Sequence, residues 1–266
     1  MSRESNPDTQ QRPPGRTVIL AFHKVQPSFS YGATNFSPSR LKNLLTLLTR
    51  RGFRLVSLRE AIESGDPKTL AVTFDDGYAH LSDTLPVLVQ EFGFAPTVFI
   101  PTGYLGCDNS WDYSSVFHRT RHLDAAAIRD LAAAGVEFGA HGHRHIDLTK
   151  CNDKELRDEL DRPMKILEDL VGAPIVSLSY PFGRTNGTVT AEASRAGYRY
   201  GLTMRFPKAT DLPIATGRLP IYGYDTTLSI LQKVEGGRLY ALENLKSGIT
   251  NRLSAGTSLW RRVTGR

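Results

Sequence analysis

The sequence predicts an α/β protein, a single domain whose parallel sheet closes into a distorted (β/α)7-type barrel. Three observations point there. Short β-type runs alternate with helical patterns; a glycine follows each of five helical patterns where a left-handed C-cap would sit; and the residues able to do chemistry fall just after the β-type runs, where such folds bind ligands. The 266 residues, 40% of them hydrophobic and 23% charged, suffice for one sizeable core.

Residues 1–15 are polar and Pro-rich and are expected to form a disordered arm, with the folded domain spanning 16–238. Thr17–Phe22 is the first β-type run. A helix should follow from a Ser37 cap and Pro38 through Leu41, Leu44, Leu45 and Leu48 to a stop at Gly52. The rhythm repeats: Leu70–Phe74 before His80–Phe92, Thr97–Ile100 before a longer loop, Val136–Ala140 before Lys154–Val171, and Ile175–Tyr180 before Val189–Ala196. Gly52, Gly93, Gly135, Gly172 and Gly197 are the expected caps, and about seven units fit between residues 17 and 235. Pro163 should kink the helix that contains it or divide it in two. Residues 239–266 read as a basic, moderately amphipathic segment, with Leu253, Leu259, Trp260 and Arg261-Arg262 late in it. Such a segment could pack on the barrel or contact an anionic membrane surface peripherally.

Composition excludes several classes. Cys107 and Cys151 are far apart and outside any CxxC spacing, so neither a disulfide framework nor a cysteine zinc site is expected. The net charge of +6 would suit a polyanion, but no zinc finger, phosphate loop or aromatic-basic RNA motif accompanies it, and no nucleic-acid partner is expected. The first apolar run, Val18–Phe22, is far shorter than a signal-peptide core or a membrane span of roughly 20 residues. A cytoplasmic protein, able to meet the inner membrane face peripherally, is therefore expected.

The chemistry gathers at four run ends. Asp75 and Asp76 close the run Leu70-Ala-Val-Thr-Phe, and His141 and His145 follow Val136–Ala140. Asp76, His141 and His145 together offer one carboxylate oxygen and two imidazole nitrogens, a donor set suited to Zn²⁺ that leaves positions for water and substrate. Neighbouring strand residues face opposite ways, so both aspartates can serve one site only if the strand ends there, and Gly77 permits the turn. One carboxylate can then bind the ion while the other, Asp75, takes a proton from water. His141 and His145 lie four apart, a spacing that on one helical turn puts both rings on the same side. Gly142 stands where zinc proteases carry a glutamate base, so peptidase chemistry of that type is not expected. His143 should be structural. His23, after the first run, is a candidate acid for a leaving nitrogen because histidine titrates near neutrality.

Thr73-Phe-Asp-Asp-Gly-Tyr78, His141 to His145 followed by Ile146-Asp-Leu148, and Ser179-Tyr-Pro-Phe-Gly183 resemble the first three motifs of the polysaccharide deacetylase family, also called the NodB-homology or carbohydrate esterase 4 family. The resemblance covers roughly Thr17 to Tyr222. It implies a divalent metal, usually zinc, held by Asp76, His141 and His145, with Asp75 as general base, and a substrate and oxyanion surface at Tyr180, Pro181 and Phe182. Three positions depart from the family pattern. Gly142 stands for Ser or Thr, Ser179 for the arginine that orients the base, and Leu219-Pro220-Ile221 for a late Leu-x-His that supplies the acid. The early Phe22-His-Lys-Val25 stretch and Trp111-Asp112-Tyr113 are similar to the exopolysaccharide branch, the poly-N-acetylglucosamine deacetylases, in which a histidine of that early strand serves as acid. Trp111 could stack on a sugar.

The function expected is removal of the N-acetyl group from an N-acetylhexosamine of a polysaccharide, oligosaccharide or lipid-linked glycan. Three alternatives remain: O-acetyl ester cleavage, a glycan-binding module of the same fold impaired by the missing arginine and histidine, and, less consistent with a β/α scaffold, a non-haem iron facial triad.

Overall fold

The computed structural model describes residues 17–26, 34–110, 120–208, 210–236 and 240–253, the stretch 249–253 by its backbone alone. The expected arm and Trp111 lie outside the described residues.

Strands β1 (Val18–Phe22), β5 (Thr69–Phe74), β6 (Thr97–Ile100), β7 (Glu137–Ala140), β8 (Ser177–Ser179), β9 (Tyr200–Leu202) and β10 (Leu219–Pro220) run in the order β10-β1-β5-β6-β7-β8-β9, every pairing parallel. The barrel closes irregularly. Leu202 and Thr216 form a single parallel bridge, held by Thr216 N donating to Gly201 O (2.8 Å) and Thr203 N donating to Thr216 O (2.9 Å), and Thr216 leads directly into β10. Short β4 (Arg54–Leu55) adds to the edge of β5 outside this ring, and β2 (Lys24–Val25) pairs with β3 (Asn35–Phe36) above it.

Strands apolar on both faces make this possible, because one face meets the helices and the other the barrel interior. Val18, Leu20, Leu70, Val72 and Val98 pack outward against helices α1 (Pro38–Arg50), α3 (Leu81–Phe92) and α5 (Asp153–Val171). Ile19, Ala71, Phe99 and Leu202 fill the interior, plugged from below by Leu58 and Ala61 of α2 (Leu58–Glu63). The two-residue period then sends Ala71, Thr73 and Asp75 inward in succession, so Asp75 crowns the interior column.

Helices α4 (Ala125–Ala133), α6 (Gly187–Ala196), α7 (Thr227–Glu235) and α8 (Tyr240–Leu253) complete the shell. The five glycines expected as caps all take positive φ. Of the two outcomes expected at Pro163, division does not occur: α5 runs unbroken through it. An Asn152–Glu155 capping box and the left-handed Gly172 pin its two ends, Pro163 packs on the buried face, and proline removes only one donor from a ladder of nineteen residues. Helix α8 docks on α7 through a buried ionic cluster: Lys233 Nζ donates to Asp225 Oδ2 (2.6 Å) and Pro220 O (2.8 Å), and Lys246 Nζ donates to Asp225 Oδ1 (2.9 Å). No helix among the described residues is long and apolar enough to cross a membrane.

Gly139 lies where the interior is tightest. A Cβ there would press on the Phe99 ring and sit 2.5 Å from Ser177 Oγ. Gly139→Ala should therefore destabilise the fold by about 1–3 kcal/mol through overpacking, read from the midpoint of urea unfolding.

Candidate metal centre and active site

The carboxyl ends of β1, β5, β7 and β8 bring His23, Asp75 and Asp76, His141 and His145, and Pro181 and Phe182 to one rim, as expected. Beyond β5, Asp75 keeps the strand direction, its N–H donating to Phe22 O (2.9 Å), and the chain reverses at Asp76, with φ of 70° followed by 57° at Gly77. Asp76, His145 (φ 53°) and Phe182 (φ 59°) are the only non-glycine residues with positive φ among those described. All three are at this rim, and such conformations persist only where surrounding contacts enforce them.

Those contacts are identifiable. His122 donates from Nδ1 to Asp76 O at 2.7 Å, holding the turn on which the carboxylate sits. The fully buried Glu159 of α5 accepts from His143 N (2.8 Å), Arg144 N (3.0 Å) and Arg144 Nε (2.7 Å), fixing the loop between the two histidines. That loop is not the helical turn expected from the four-residue spacing. The rings converge instead through left-handed backbone at Gly142 (φ 70°) and His145. Glycine is needed at 142, because a Cβ would fall 2.9 Å from Glu159 Oε2 on a backbone that disfavours side chains. His143 is structural here, its Nδ1 lying 2.9 Å from Thr102 Oγ1.

The three donors meet. Asp76 Oδ1 lies 3.5 Å from both His141 Nε2 and His145 Nε2, and the two nitrogens are 3.2 Å apart, all three residues being buried. Asp76 Oδ1 has no hydrogen-bond partner among the described residues. These separations bracket the roughly 3.4 Å between neighbouring ligands of a tetrahedral ion bound at about 2.1 Å, so the residues fit a small divalent cation. His141 donates from Nδ1 to Ser179 O (2.7 Å), which turns the Nε2 lone pair toward the other two donors. Burial opposes ionisation of Asp76, but the neighbouring histidines outweigh it and hold the carboxyl below its usual range.

Asp75 is held separately. Arg218, fully buried at the start of β10, grips it in a bidentate pair, Nη1 to Oδ1 and Nη2 to Oδ2, both 2.7 Å. Ser179 Oγ donates to Asp75 Oδ2 (3.1 Å) and accepts from Arg218 Nη2 (2.8 Å), while Arg218 Nη1 also reaches Thr73 Oγ1 (3.1 Å). Burial alone would raise the Asp75 pKa; Arg218 overrides it and brings it to about 2, with His141 and His23 adding to the effect. The arginine that the family pattern carries at Ser179 thus has a counterpart in Arg218, which reaches Asp75 from the stretch leading into β10. Arg218, Glu159 and His122 are functional neighbours that the sequence does not announce by motif. Only Glu159 left a signal, a lone charge on the apolar face formed by Leu156, Leu160, Pro163 and Leu167.

His23 is half-buried, and its Nδ1 is buried with no hydrogen-bond partner among the described residues. The ring is near enough to lower the pKa of both aspartates. Phe182 packs edge-on against His145 at 4.8 Å, and Pro181 lies beside Gly142. Tyr180 does not join the site by its side chain: it is fully buried and donates its hydroxyl to Ile214 O (2.6 Å), in the wall that closes the barrel.

The profile of the polysaccharide deacetylase family matches residues 63–201, over half the chain. The chain belongs to that family. Among curated relatives of this polysaccharide deacetylase-family chain, protein YxkH of Bacillus subtilis (strain 168), named for the same family, is 23% identical over 197 residues, 71% of this chain and 65% of YxkH. The poly-beta-1,6-N-acetyl-D-glucosamine N-deacetylase of Staphylococcus aureus (strain MRSA252) is 21% identical over 63% of this chain and 60% of its own. The chain thus spans less than two thirds of either relative. Streptococcus pyogenes deacetylase PplD, solved with acetate, shares the fold with a TM-score of 0.70 at 19% identity, over 82% of this chain and 97% of that one. IcaB from Ammonifex degensii does so with 0.64 at 19% identity, over 82% and 96%.

Removing Arg218 should leave Asp75 buried beside Asp76 without its cation. Arg218→Met is expected to cost about 3–5 kcal/mol in urea unfolding at neutral pH. Because the folded pKa of about 2 lies below the ordinary 3.8, the Asp75–Arg218 pair stabilises fully above that ordinary value and is lost as pH falls through 2. Wild-type and variant stabilities should therefore converge in acid.

Proposed function

We propose that this protein is a metal-dependent deacetylase that hydrolyses the N-acetyl group of an N-acetylhexosamine-containing glycan. The observation that carries the reading is the division of two adjacent carboxylates: Asp76 converges with His141 and His145, while Asp75 is turned from that set by Arg218 and Ser179.

A divalent ion, most consistently Zn²⁺ for a carboxylate with two imidazoles, would be held by Asp76, His141 and His145 and would supply Lewis-acid polarisation of water and of the acetyl carbonyl. Asp75, ionised throughout the working pH range, accepts the proton of the attacking water, and the Arg218 fork keeps its orbitals aimed as it does so. Charge that develops on the acetyl oxygen can be met by the Phe182 N–H, which donates to no acceptor among the described residues and sits on a strained, preorganised turn. His23 then protonates the leaving amine. Its position supports that role. β10 pairs Ala21 with Pro220, so Ile221, where the family pattern carries its late histidine, is level with Phe22, and His23 follows on the adjacent strand. Acetate and a free amino sugar result.

The glycan-binding alternative loses one of its two motives, because a guanidinium absent from Ser179 reaches Asp75 from Arg218; His23 answers the other if it serves as the acid. The naming of the Staphylococcus aureus relative and the Phe22-His-Lys-Val25 stretch favour poly-N-acetylglucosamine among substrates.

Two measurements test the division of labour. Asp75→Asn should abolish acetate release from N-acetylated glycans yet retain bound zinc by elemental analysis, whereas Asp76→Ala should lose the metal; equal retention in both variants contradicts the assignment. His23→Gln should lower kcat by about 10²–10⁴ with metal content unchanged, and a substrate bearing a better leaving group should recover most of that loss.

A further inference from the structure

Two loops leave the barrel mouth side by side, one after β7 with His141 and His145 and one after β8 with Pro181 and Phe182. They touch at His145 and Phe182, whose rings meet edge-on with centres 4.8 Å apart. They are joined again two residues farther along each chain, where Arg184 Nη1 donates to Asp147 Oδ2 at 2.8 Å. His145 and Phe182 are both left-handed, so an aromatic contact and an ion pair together enclose the two strained residues that these loops bring to the site.

Asp147 is buried, and its two oxygens have separate tasks. Oδ1 caps the short turn Leu148–Lys150, accepting from Thr149 N (3.2 Å) and Thr149 Oγ1 (2.6 Å), whereas Oδ2 faces Arg184, with Lys150 Nζ farther off at 3.4 Å. The cap needs one oxygen only, which leaves the other for the bridge. Arg184 is two-thirds buried, and its guanidinium also lies 5.9 Å from the centre of the Phe182 ring, so a single side chain reaches the first loop and the strained residue of the second. Exposed pairs such as Arg59–Glu63 add little to a fold, but a desolvated carboxylate holds its partner more firmly. The second loop is anchored on its far side too: Gly183 abuts Met204, where a Cβ would fall 2.5 Å from the Met204 Cβ. His141 takes its orientation from Ser179 O, and His145 packs on Phe182, so the placement of His145 depends on how the two loops are set against each other.

We propose that Asp147 and Arg184 are positioning residues: their ion pair fixes the Phe182 turn against His145, and so sets together the place of one of the three metal donors and of the N–H offered to the acetyl oxygen. Both residues act through their neighbours, Asp147 through His145 and Arg184 through Phe182. The part that concerns acetyl transfer to water rests on the deacetylase reading; the part that concerns His145 requires only that Asp76, His141 and His145 hold a cation.

The test compares Asp147→Asn, Arg184→Met and Arg184→Lys in the full chain. Zinc affinity is read by competition with a chromophoric chelator, kcat and KM by acetate release from N-acetylglucosamine oligomers at saturating zinc, and stability by urea unfolding. Asp147→Asn and Arg184→Met should each raise the zinc Kd about tenfold or more. With zinc saturating, each should still lower kcat about 10–100-fold, while KM moves by less than about threefold. Arg184→Lys keeps the charge within reach of Asp147 and should recover most of both losses. Asp147→Asn/Arg184→Met should lose no more than the worse single variant, because each change removes the same interaction. The proposal is overturned if Arg184→Met shifts the urea midpoint but leaves zinc affinity and kcat at wild-type values, the mark of a pair that only keeps the loops folded, or if the two single losses add in the double variant. Wild-type protein that binds zinc and releases no acetate sinks the deacetylase reading, and the zinc constants then decide the coupling by themselves; wild-type protein that binds no zinc overturns both.

Discussion

Two carboxylates adjacent in sequence and buried at one barrel mouth can both remain ionised only if each is answered by its own positive partner. That constraint organises the site. Asp75 is answered by a guanidinium in a bidentate geometry, the arrangement that returns most energy for a desolvated carboxylate. Among the described residues Asp76 faces no lysine or arginine but two imidazole nitrogens at 3.5 Å, and one of them is held in the tautomer that presents a lone pair. A pocket of this kind is incomplete electrostatically without a cation among those three atoms, and its dimensions admit a small one.

Backbone strain follows from the same requirement. A β-strand sends Asp75 and Asp76 to opposite faces, so bringing both to one mouth demands reversal at Asp76 itself, in a conformation most residues avoid. His122 braces that reversal from outside, and Glu159 braces the matching reversal at Gly142 and His145. Cost at the rim is thus offset by hydrogen bonds from two residues outside the Asp76–His141–His145 set, which makes them positioning groups.

How much of this was legible beforehand depends on the range of the signal. Strand and helix order, the cap glycines and the converging trio Asp76, His141 and His145 were readable because each is a local pattern: a period, a turn residue or a short motif. The alternation Ala71, Thr73, Asp75 even fixes which carboxylate looks inward. Convergence of His141 and His145 was read correctly for the wrong reason, since spacing by four suggests a helix and the structure uses two left-handed residues instead. Arg218 was invisible because its partner lies 143 residues earlier, and nothing in Gly217-Arg-Leu-Pro220 announces a buried charge. Tyr180 shows the converse: its motif placed it near chemistry, while its hydroxyl serves the barrel closure.

Arg218 also shows what a barrel permits that an open sheet does not. Interior side chains from every strand share one narrow space, so the cation that orients Asp75 can be contributed by any strand within reach of it. An arginine at 179 would have to occupy the volume into which the Arg218 guanidinium now projects, between Ser179 Oγ at 2.8 Å and Met204 Sδ at 3.3 Å. Serine at 179 is the small partner that this exchange requires, and it keeps two tasks, its hydroxyl bridging the ion pair and its carbonyl orienting His141. Asp75 and His141 are thereby tied to a single residue of β8. A shift of that strand would disturb both together, which is why Ser177 and Gly139, packed against each other one layer below, help to hold the geometry of the rim although neither reaches it.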